Sequence, residues 1–346
     1  MRRLRLLLSL GLYLPAIAAD TAYAPPVGGM TIVVPAGQTR SVALPLVHDS
    51  TAAGAVLGRI TAVGSNYIED SAAGWVAGEL SSAANPYYLR IKTGAAAGRV
   101  LMVSTTANTS TRVFLANDGT DLTTAGIATG AGGDVYELVL ADTLGDLFGG
   151  WLQGGADAAT ADNIQVWSNT AWVTYYFNTG RGRWERSTDT GASPDRSNVL
   201  LRPDRGIMIT RRASTELRLP VAGKAPDTGA RYVHARPGVT FLSLATPKDI
   251  TLGDLGVNTA TSGWLASADA AASGSGDYIQ LWSNTAWVTY YYDSTKGSWQ
   301  RSTDSAASPS RNGVSIPAGR PMMIRRVISS ASSTLISIPL NYAIAR

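Results

Sequence analysis

Trp167-Ser-Asn-Thr-Ala-Trp-Val-Thr-Tyr-Tyr176 is a ten-residue stretch that recurs without a change at Trp282–Tyr291. The two copies contain four of the nine tryptophans of the chain. An identical internal repeat of this length indicates that one structural unit is present twice. The alternating aliphatic and polar residues around each copy are typical of a β-hairpin.

The repeat extends in both directions from this stretch, although less strictly. Its further matched segments are Thr143–Leu147 with Thr251–Leu255, Gly150-Trp151 with Gly263-Trp264, Gly182-Arg-Trp184 with Gly297-Ser-Trp299, Arg186–Asp189 with Arg301–Asp304, and Arg211-Arg212 with Arg325-Arg326. The Thr-Leu-Gly-Asp-Leu segments are consistent with either a helical turn or a loop.

Short alternating segments separated by Gly-rich turns predict an all-β protein. We expect two tandem related units, each a β-sandwich or β-barrel, and a small inserted β-barrel. The expected boundaries are a signal peptide at 1–19, a first unit at 20–51 with 139–222, the inserted barrel at 52–138, and a second unit at 223–346.

The first 19 residues have the pattern of a secretory signal, with three arginines, a short apolar run and Ala16-Ile-Ala18 before cleavage near Ala18-Ala19. We therefore expect a secreted or cell-surface protein. No apolar run is long enough for a membrane helix in the mature chain. Removing three arginines reduces 29 basic against 25 acidic residues to 26 against 25, so no nucleic-acid partner is expected.

Catalytic and metal-binding groups are scarce in the sequence. The chain has no cysteine, and its two histidines, His48 and His234, are isolated. Glycoside hydrolysis needs two placed carboxylates, but Glu185, which lies nearest the hairpin, is replaced by Gln300 in the other copy. We predict no catalytic residues, no metal and no cofactor, and hence a non-enzymatic protein. A secreted hydrolase is a distant alternative.

Four further features of the sequence are Tyr88–Gly98, Thr106-Ala-Asn-Thr109, Thr143-Leu-Gly-Asp-Leu-Phe148, and the Trp-x-x-x-x-Trp strand pair followed by Trp184. Together they resemble a family of uncharacterised, signal-peptide-bearing all-β bacterial proteins catalogued mainly in Verrucomicrobia. The resemblance covers most of the mature chain. It implies an exported protein and no established binding or catalytic residue.

Strand alternation assigns two faces to each hairpin. One face is predicted to be core, with Ile164, Val166, Val173, Tyr175 and Phe177 in the first copy and Ile279, Leu281, Val288, Tyr290 and Tyr292 in the second. The opposite face carries the candidate ligand-binding residues Trp167, Trp172, Tyr176, Gln165, Trp282, Trp287, Tyr291 and Gln280. It is interpreted as a sugar-binding platform, as core covered by a second sheet, or as a subunit contact.

The polar loop after the hairpin is retained in both copies. Arg186, Asp189, Ser193 and Arg196 correspond to Arg301, Asp304, Ser308 and Arg311. The loop is interpreted either as a ligand or calcium loop, or as a turn fixed by an Asp–Arg pair.

These observations favour an exported structural or assembly protein of the cell surface or extracellular matrix. Its expected partners are itself or other surface proteins. The alternative is a carbohydrate-binding or adhesive module, with a polysaccharide partner, that uses the duplicated Trp/Tyr face.

Overall fold

A computed structural model describes residues 27–44, 56–83, 85–116, 121–168, 170–224, 230–235, 237–244, 248–258, 263–269, 274–327 and 334–339. The predicted signal peptide lies outside the described residues. Nearly all regular structure is β, which confirms the predicted all-β class. No helix among the described residues is both long and apolar enough to span a membrane.

The strands follow the chain in three groups. The first nine are β1 Val27–Val34, β2 Thr39–Val42, β3 Val56–Arg59, β4 Ala62–Val63, β5 Tyr67–Glu69, β6 Tyr87–Ile91, β7 Val100–Met102, β8 Arg112–Phe114 and β9 Val135–Leu140. The next seven are β10 Asp142–Thr143, β11 Asn163–Trp167, β12 Trp172–Asn178, β13 Arg183–Arg186, β14 Leu200–Leu201, β15 Ile207–Thr210 and β16 Leu217–Lys224.

The last nine strands are β17 Ala230–Ala235, β18 Gly238–Leu242, β19 Ile250–Thr251, β20 Tyr278–Trp282, β21 Trp287–Asp293, β22 Ser298–Arg301, β23 Ser315–Ile316, β24 Met322–Arg326 and β25 Thr334–Pro339. In the part of the chain that the structure describes, one α-helix, α1, spans Leu144–Phe148. Four 3₁₀ turns in the same part cover Glu79–Ser81, Leu122–Thr124, Leu252–Asp254 and Gly256–Asn258.

Two five-stranded antiparallel sheets have the same design. Their strand orders are β13-β12-β11-β15-β2 and β18-β24-β20-β21-β22. Each is accompanied by a two-stranded ribbon, β1-β16 or β17-β25, and by a short pair, β10-β14 or β19-β23. We call the two assemblies unit 1 and unit 2.

Two of the sequence matches between the units are shifted by one residue in the structure. Gln165 pairs with Met208 and Gln280 pairs with Met323, so Arg211 corresponds to Arg326 rather than to Arg325. The match between Gly150-Trp151 and Gly263-Trp264 is also shifted by one residue. The backbone N–H groups of Gln153 and Leu265 donate to Asp162 and Asp277, which makes Leu152 the counterpart of Trp264.

The Thr-Leu-Gly-Asp-Leu segments both become short capped helical turns. In unit 1, the Thr143 hydroxyl accepts a hydrogen bond from the Asp146 N–H and donates to the Asp146 carboxylate. In unit 2, Thr251 and Asp254 form a capping box on a 3₁₀ turn. Such reciprocal capping satisfies the first free N–H groups of a helical turn.

Each unit has its own hydrophobic core. In unit 1, Ile164, Trp184 and Ile209 pack with α1 and the ribbon. In unit 2, Ile279, Trp299 and Ile324 occupy the equivalent positions. The predicted core faces of the hairpins lie against these cores through Val166, Tyr175 and Phe177 in unit 1, and through Leu281, Tyr290 and Tyr292 in unit 2.

The insertion between β2 and β10, expected as a small barrel, consists of a four-stranded sheet, β3-β9-β6-β7, and a three-stranded sheet, β4-β5-β8. They enclose a third core that contains Ile68, Leu89 and Tyr136. No sheet in the described part of the chain closes into a barrel. The outer face of the four-stranded sheet packs on unit 1, where Leu200 contacts its apolar cluster and Arg202 donates to the Val100 carbonyl.

Candidate functional site

The repeated stretches form two hairpins with the same geometry. Trp167 pairs with Trp172, and Trp282 pairs with Trp287, across loops of four residues. Within each loop, the N–H of Ser168 or Ser283 donates to the carbonyl of Ala171 or Ala286 at 2.9 Å. In each hairpin the two indole rings meet edge to face with their centroids 5.1 Å apart.

The four indole rings lie between unit 1 and unit 2. Phe241, which is fully buried, contacts Trp172 at 5.1 Å and Trp287 at 5.8 Å between ring centroids. Met208 and Met323 complete the same apolar cluster, and the four rings remain half-buried at its margin. The aromatic faces of the two units therefore pack around one shared phenylalanine.

Hydrogen bonds across this contact come in reciprocal pairs. The Trp167 indole N–H donates to the Val239 carbonyl at 3.0 Å, and the Trp282 indole N–H donates to the Thr39 carbonyl at 3.4 Å. The Ser243 N–H donates to the Asp204 carbonyl at 3.0 Å, as the Ala43 N–H does to the Gly319 carbonyl at 2.8 Å. The contact is thus self-complementary, as in an isologous interface between two identical subunits.

The predicted glutamines form hydrogen bonds within their own unit, and the predicted tyrosines are buried. The amides of Gln165 and Gln280 donate to the hydroxyls of Thr174 and Thr289 at 3.3 and 3.0 Å. Tyr176 and Tyr291 are buried. The structure brings the tryptophans together across the two units, whereas it keeps each glutamine and tyrosine on its own sheet. Ligand binding by these eight residues stays a prediction.

Glu185 lies on β13, where it pairs with Tyr176 of the first hairpin, and it is fully buried. It accepts hydrogen bonds from Arg181, Arg183 and Asn178, and from the Tyr176 hydroxyl at 3.1 Å. These contacts, above all the one from Arg181, lower the pKa of Glu185 to about 2 despite its burial. A carboxyl held ionised in this way is poorly matched to general-acid catalysis near neutral pH.

Gln300 of unit 2 occupies the position of Glu185. Its side chain accepts from Lys296 at 3.2 Å and donates to Ser298 at 3.1 Å. Asp293 stands where unit 1 has Asn178, because both residues pair with the first residue of the following strand. The carboxylate and the amide have therefore exchanged strands between the two units.

The polar loop is fixed by an Asp–Arg pair in both units. Arg196 donates two hydrogen bonds of 2.8 Å to Asp189, and Arg311 donates two of 2.8 and 2.7 Å to Asp304. The Arg196 hydrogen bonds lower the pKa of Asp189 to about 2. This geometry matches the turn interpretation of the loop.

A cleft of about 230 Å³ opens beside Trp282, at the boundary of the two units. Its lining residues are Ser41, Leu281, Trp282, Asn284, Ser315, Ile316, Pro317, Arg320 and Pro321. Sequence reasoning identified only Trp282 among them. Ser41 and Arg320 lie in segments distant in sequence from the hairpin, and strand alternation gives no indication of which segments meet across units.

Within the described ranges, no three His, Asp or Glu side chains are grouped closely enough to hold a metal ion. His48 lies outside the described residues. Comparisons of the chain with protein-family models, with curated proteins and with solved structures gave no match.

Proposed function

We propose that this protein is an exported, non-enzymatic structural or assembly protein that works at the cell surface or in the extracellular matrix. The observation that supports this proposal is the role of the duplicated hairpins, whose aromatic faces join two units through reciprocal contacts. An aromatic surface that complements its own copy is suited to assembly, because aromatic side chains supply large contact areas at interfaces.

The exposed Trp151 offers a contact between chains. Its side chain is 46% exposed, while the neighbouring Leu152 packs against the core of unit 1. Trp264, the structural counterpart of Leu152, lies inside unit 2 against Trp299. Trp151 therefore has no equivalent aromatic ring in unit 2, and a large exposed ring is favoured at subunit contacts.

Sedimentation velocity and negative-stain microscopy of residues 20–346 over a wide concentration range test this proposal. We expect concentration-dependent oligomers or ordered assemblies, which Trp151→Ser weakens. Val76→Ser, in the insertion, is the control because Val76 is 69% exposed and lies in a different domain. A protein that stays monomeric at every concentration would refute the assembly role.

Carbohydrate binding is the second candidate function. It is favoured by the half-buried state of the four tryptophans and by the cleft beside Trp282. Affinity electrophoresis through gels that contain soluble polysaccharides tests it, with a Trp172→Ala/Trp287→Ala variant alongside. Retardation that is lost in the variant, with its circular dichroism spectrum unchanged, supports binding; unretarded migration in every gel argues against it.

A further inference from the structure

The cleft beside Trp282 differs in its lining residues from the equivalent place of unit 1. Ser41, which is buried at its base, corresponds to Phe241, since these residues pair with Met208 and Met323 in the two sheets. In the equivalent place of unit 1, the Phe241 ring packs against Trp172 and close to Gly206, the counterpart of the lining residue Pro321. The small Ser41 side chain leaves the corresponding space open beside Trp282.

The two units also differ in the charged residues at this place. In unit 1, Arg205 lies 3.6 Å from the Asp204 carboxylate. Arg320 corresponds to Arg205, and the position of Asp204 is taken by Gly319, since the backbone carbonyls of Asp204 and Gly319 accept equivalent hydrogen bonds. Unit 2 has therefore kept the arginine and lost its neighbouring carboxylate.

Arg320 makes one side-chain hydrogen bond among the described residues, to the Asn284 side-chain oxygen at 3.5 Å, and no ion pair there. The neighbouring cation Arg40 has a buried Nη1 atom without a hydrogen-bond partner in the same part of the chain. Burial, and secondly the charge of Arg40, lower the pKa of Arg320. Two neighbouring guanidinium groups that form no ion pair with the described carboxylates favour an incoming anion, and arginine binds carboxylates in a fixed bidentate geometry.

The other lining groups define the kind of anion. Trp282 supplies an apolar aromatic surface, while Ser41, Asn284 and Ser315 supply hydroxyl and amide groups. Asn284 adopts a left-handed backbone conformation with φ of 81° in the hairpin turn, which asparagine tolerates better than most residues. The set combines a ring surface, neutral hydrogen-bonding groups and a cation.

We propose that this cleft binds a uronic acid residue of an acidic polysaccharide, with Arg320 pairing with the sugar carboxylate and Trp282 packing against the ring carbons. Ser41 and Asn284 hydrogen-bond to the sugar hydroxyls. The proposal goes beyond the assembly role and does not depend on it, because all lining residues belong to one chain. A monomer is therefore competent to bind.

Isothermal titration of residues 20–346 with galacturonate, galactose and sodium sulfate tests the site. We expect galacturonate to bind, with affinity that falls as salt concentration rises, and galactose and sulfate to bind at least about tenfold more weakly. Arg320→Gln is expected to weaken galacturonate binding about tenfold or more, since a hydrogen bond to a charged group is lost.

Ser41→Phe is the second variant, since it introduces into the cleft the type of side chain found at the corresponding position, Phe241, and it is expected to abolish binding. Arg325→Gln is the control: it removes one charge from β24, five residues after Arg320, at an exposed position outside the cleft. Absence of galacturonate binding, equal binding of galactose or sulfate, or full binding by Arg320→Gln would each overturn the proposal. Association of the chain, measured separately by sedimentation, is expected to be unaffected.

Discussion

The buried carboxylate near the aromatic hairpin lies on a different strand in each unit. Unit 1 has Asn178 on β12 and Glu185 on β13, while unit 2 has Asp293 on β21 and Gln300 on β22. In unit 1 the Arg181 guanidinium donates to the Glu185 carboxylate, whereas in unit 2 the Lys296 ammonium donates to the Gln300 amide oxygen and the Lys296 backbone N–H donates to the Asp293 carboxylate. Each unit thus buries one carboxylate and one neutral amide, and a second carboxylate at the amide position would add the cost of burying another charge.

Glu185→Gln is expected to destabilise the protein, because Arg181 and Arg183 lose the carboxylate that accepts their hydrogen bonds. Asn178→Asp is expected to destabilise the wild type, where it adds a second carboxylate beside Glu185, and to stabilise the Glu185→Gln variant, where it restores the arrangement of unit 2. Urea denaturation midpoints of the four proteins measure this reversal of sign. If Asn178→Asp shifted the denaturation midpoint equally in both backgrounds, the carboxylate and the amide would not be interchangeable between the two strands.

Gly206 permits the close approach of the two units. A Cβ atom at this position would lie 2.3 Å from the Pro321 Cβ and 2.7 Å from the Phe241 ring. The Gly206 N–H also donates to the Phe241 carbonyl at 3.0 Å. Pro321, at the equivalent position of unit 2, cannot donate such a bond. The two units therefore meet asymmetrically at this point.

Gly206→Ala is expected to lower the free energy of unfolding by about 1–3 kcal/mol, the usual cost of overfilling a packed site. Gly313→Ala is the control, because a Cβ there meets no atom within 4 Å. Chemical denaturation of both variants gives the comparison. The close-packing argument fails if the two substitutions have the same effect.

The polar loop protects an outer strand in each unit. Arg196 donates its N–H to the Trp184 carbonyl on β13, and Arg311 does the same to Trp299 on β22. These strands stand at the ends of the five-stranded sheets. A loop that covers an edge reduces pairing with other chains. The Asp–Arg pair holds the arginine backbone in place, which gives the repeated Asp and Arg a structural role.

Acid is expected to weaken this loop. Since the pKa of Asp189 is about 2 when folded and ordinarily 3.8, its contribution is present above about pH 4 and is lost as the pH falls through 2. Asp189→Asn is therefore expected to cost about 1–2 kcal/mol at neutral pH and progressively less in acid. Thermal unfolding of both proteins from pH 7 to pH 2 measures the difference. A difference that is independent of pH would contradict the assignment.

Sequence patterns predicted the elements better than their partners. Alternation assigned the two faces of each hairpin, because each strand carries a continuous period of two. The Thr-Leu-Gly-Asp-Leu turns were undecided, since five residues are too few to show a helical period. The Gly-Trp and Arg-Arg matches were wrong by one residue, because they were based on residue identity alone. In the structure, the hydrogen bonds to Asp162 and Asp277 define which residues of the two units correspond.

At the scale of the molecule, the aromatic part of the contact between units is centred on one side chain from one unit. Phe241 contacts a tryptophan of each hairpin, while its counterpart Ser41 lines the cleft. The sequence did not predict this, because Phe241 lies outside the repeated stretch and its counterpart is a different type of residue. The placement follows from how the two sheets meet, which alternation within one strand does not encode.

Phe241→Ala is expected to lower the free energy of unfolding by about 3–5 kcal/mol, as removal of a buried aromatic ring does. Because each unit has a separate core, the loss is expected to divide one calorimetric transition into two, one for each unit. Trp151→Ala is the control, since its ring is exposed.

Trp172→Ala added to Phe241→Ala is expected to lower the free energy of unfolding by less than Trp172→Ala alone, because the two rings share one contact. Additive costs would show that Phe241 stabilises unit 2 only and does not couple the units.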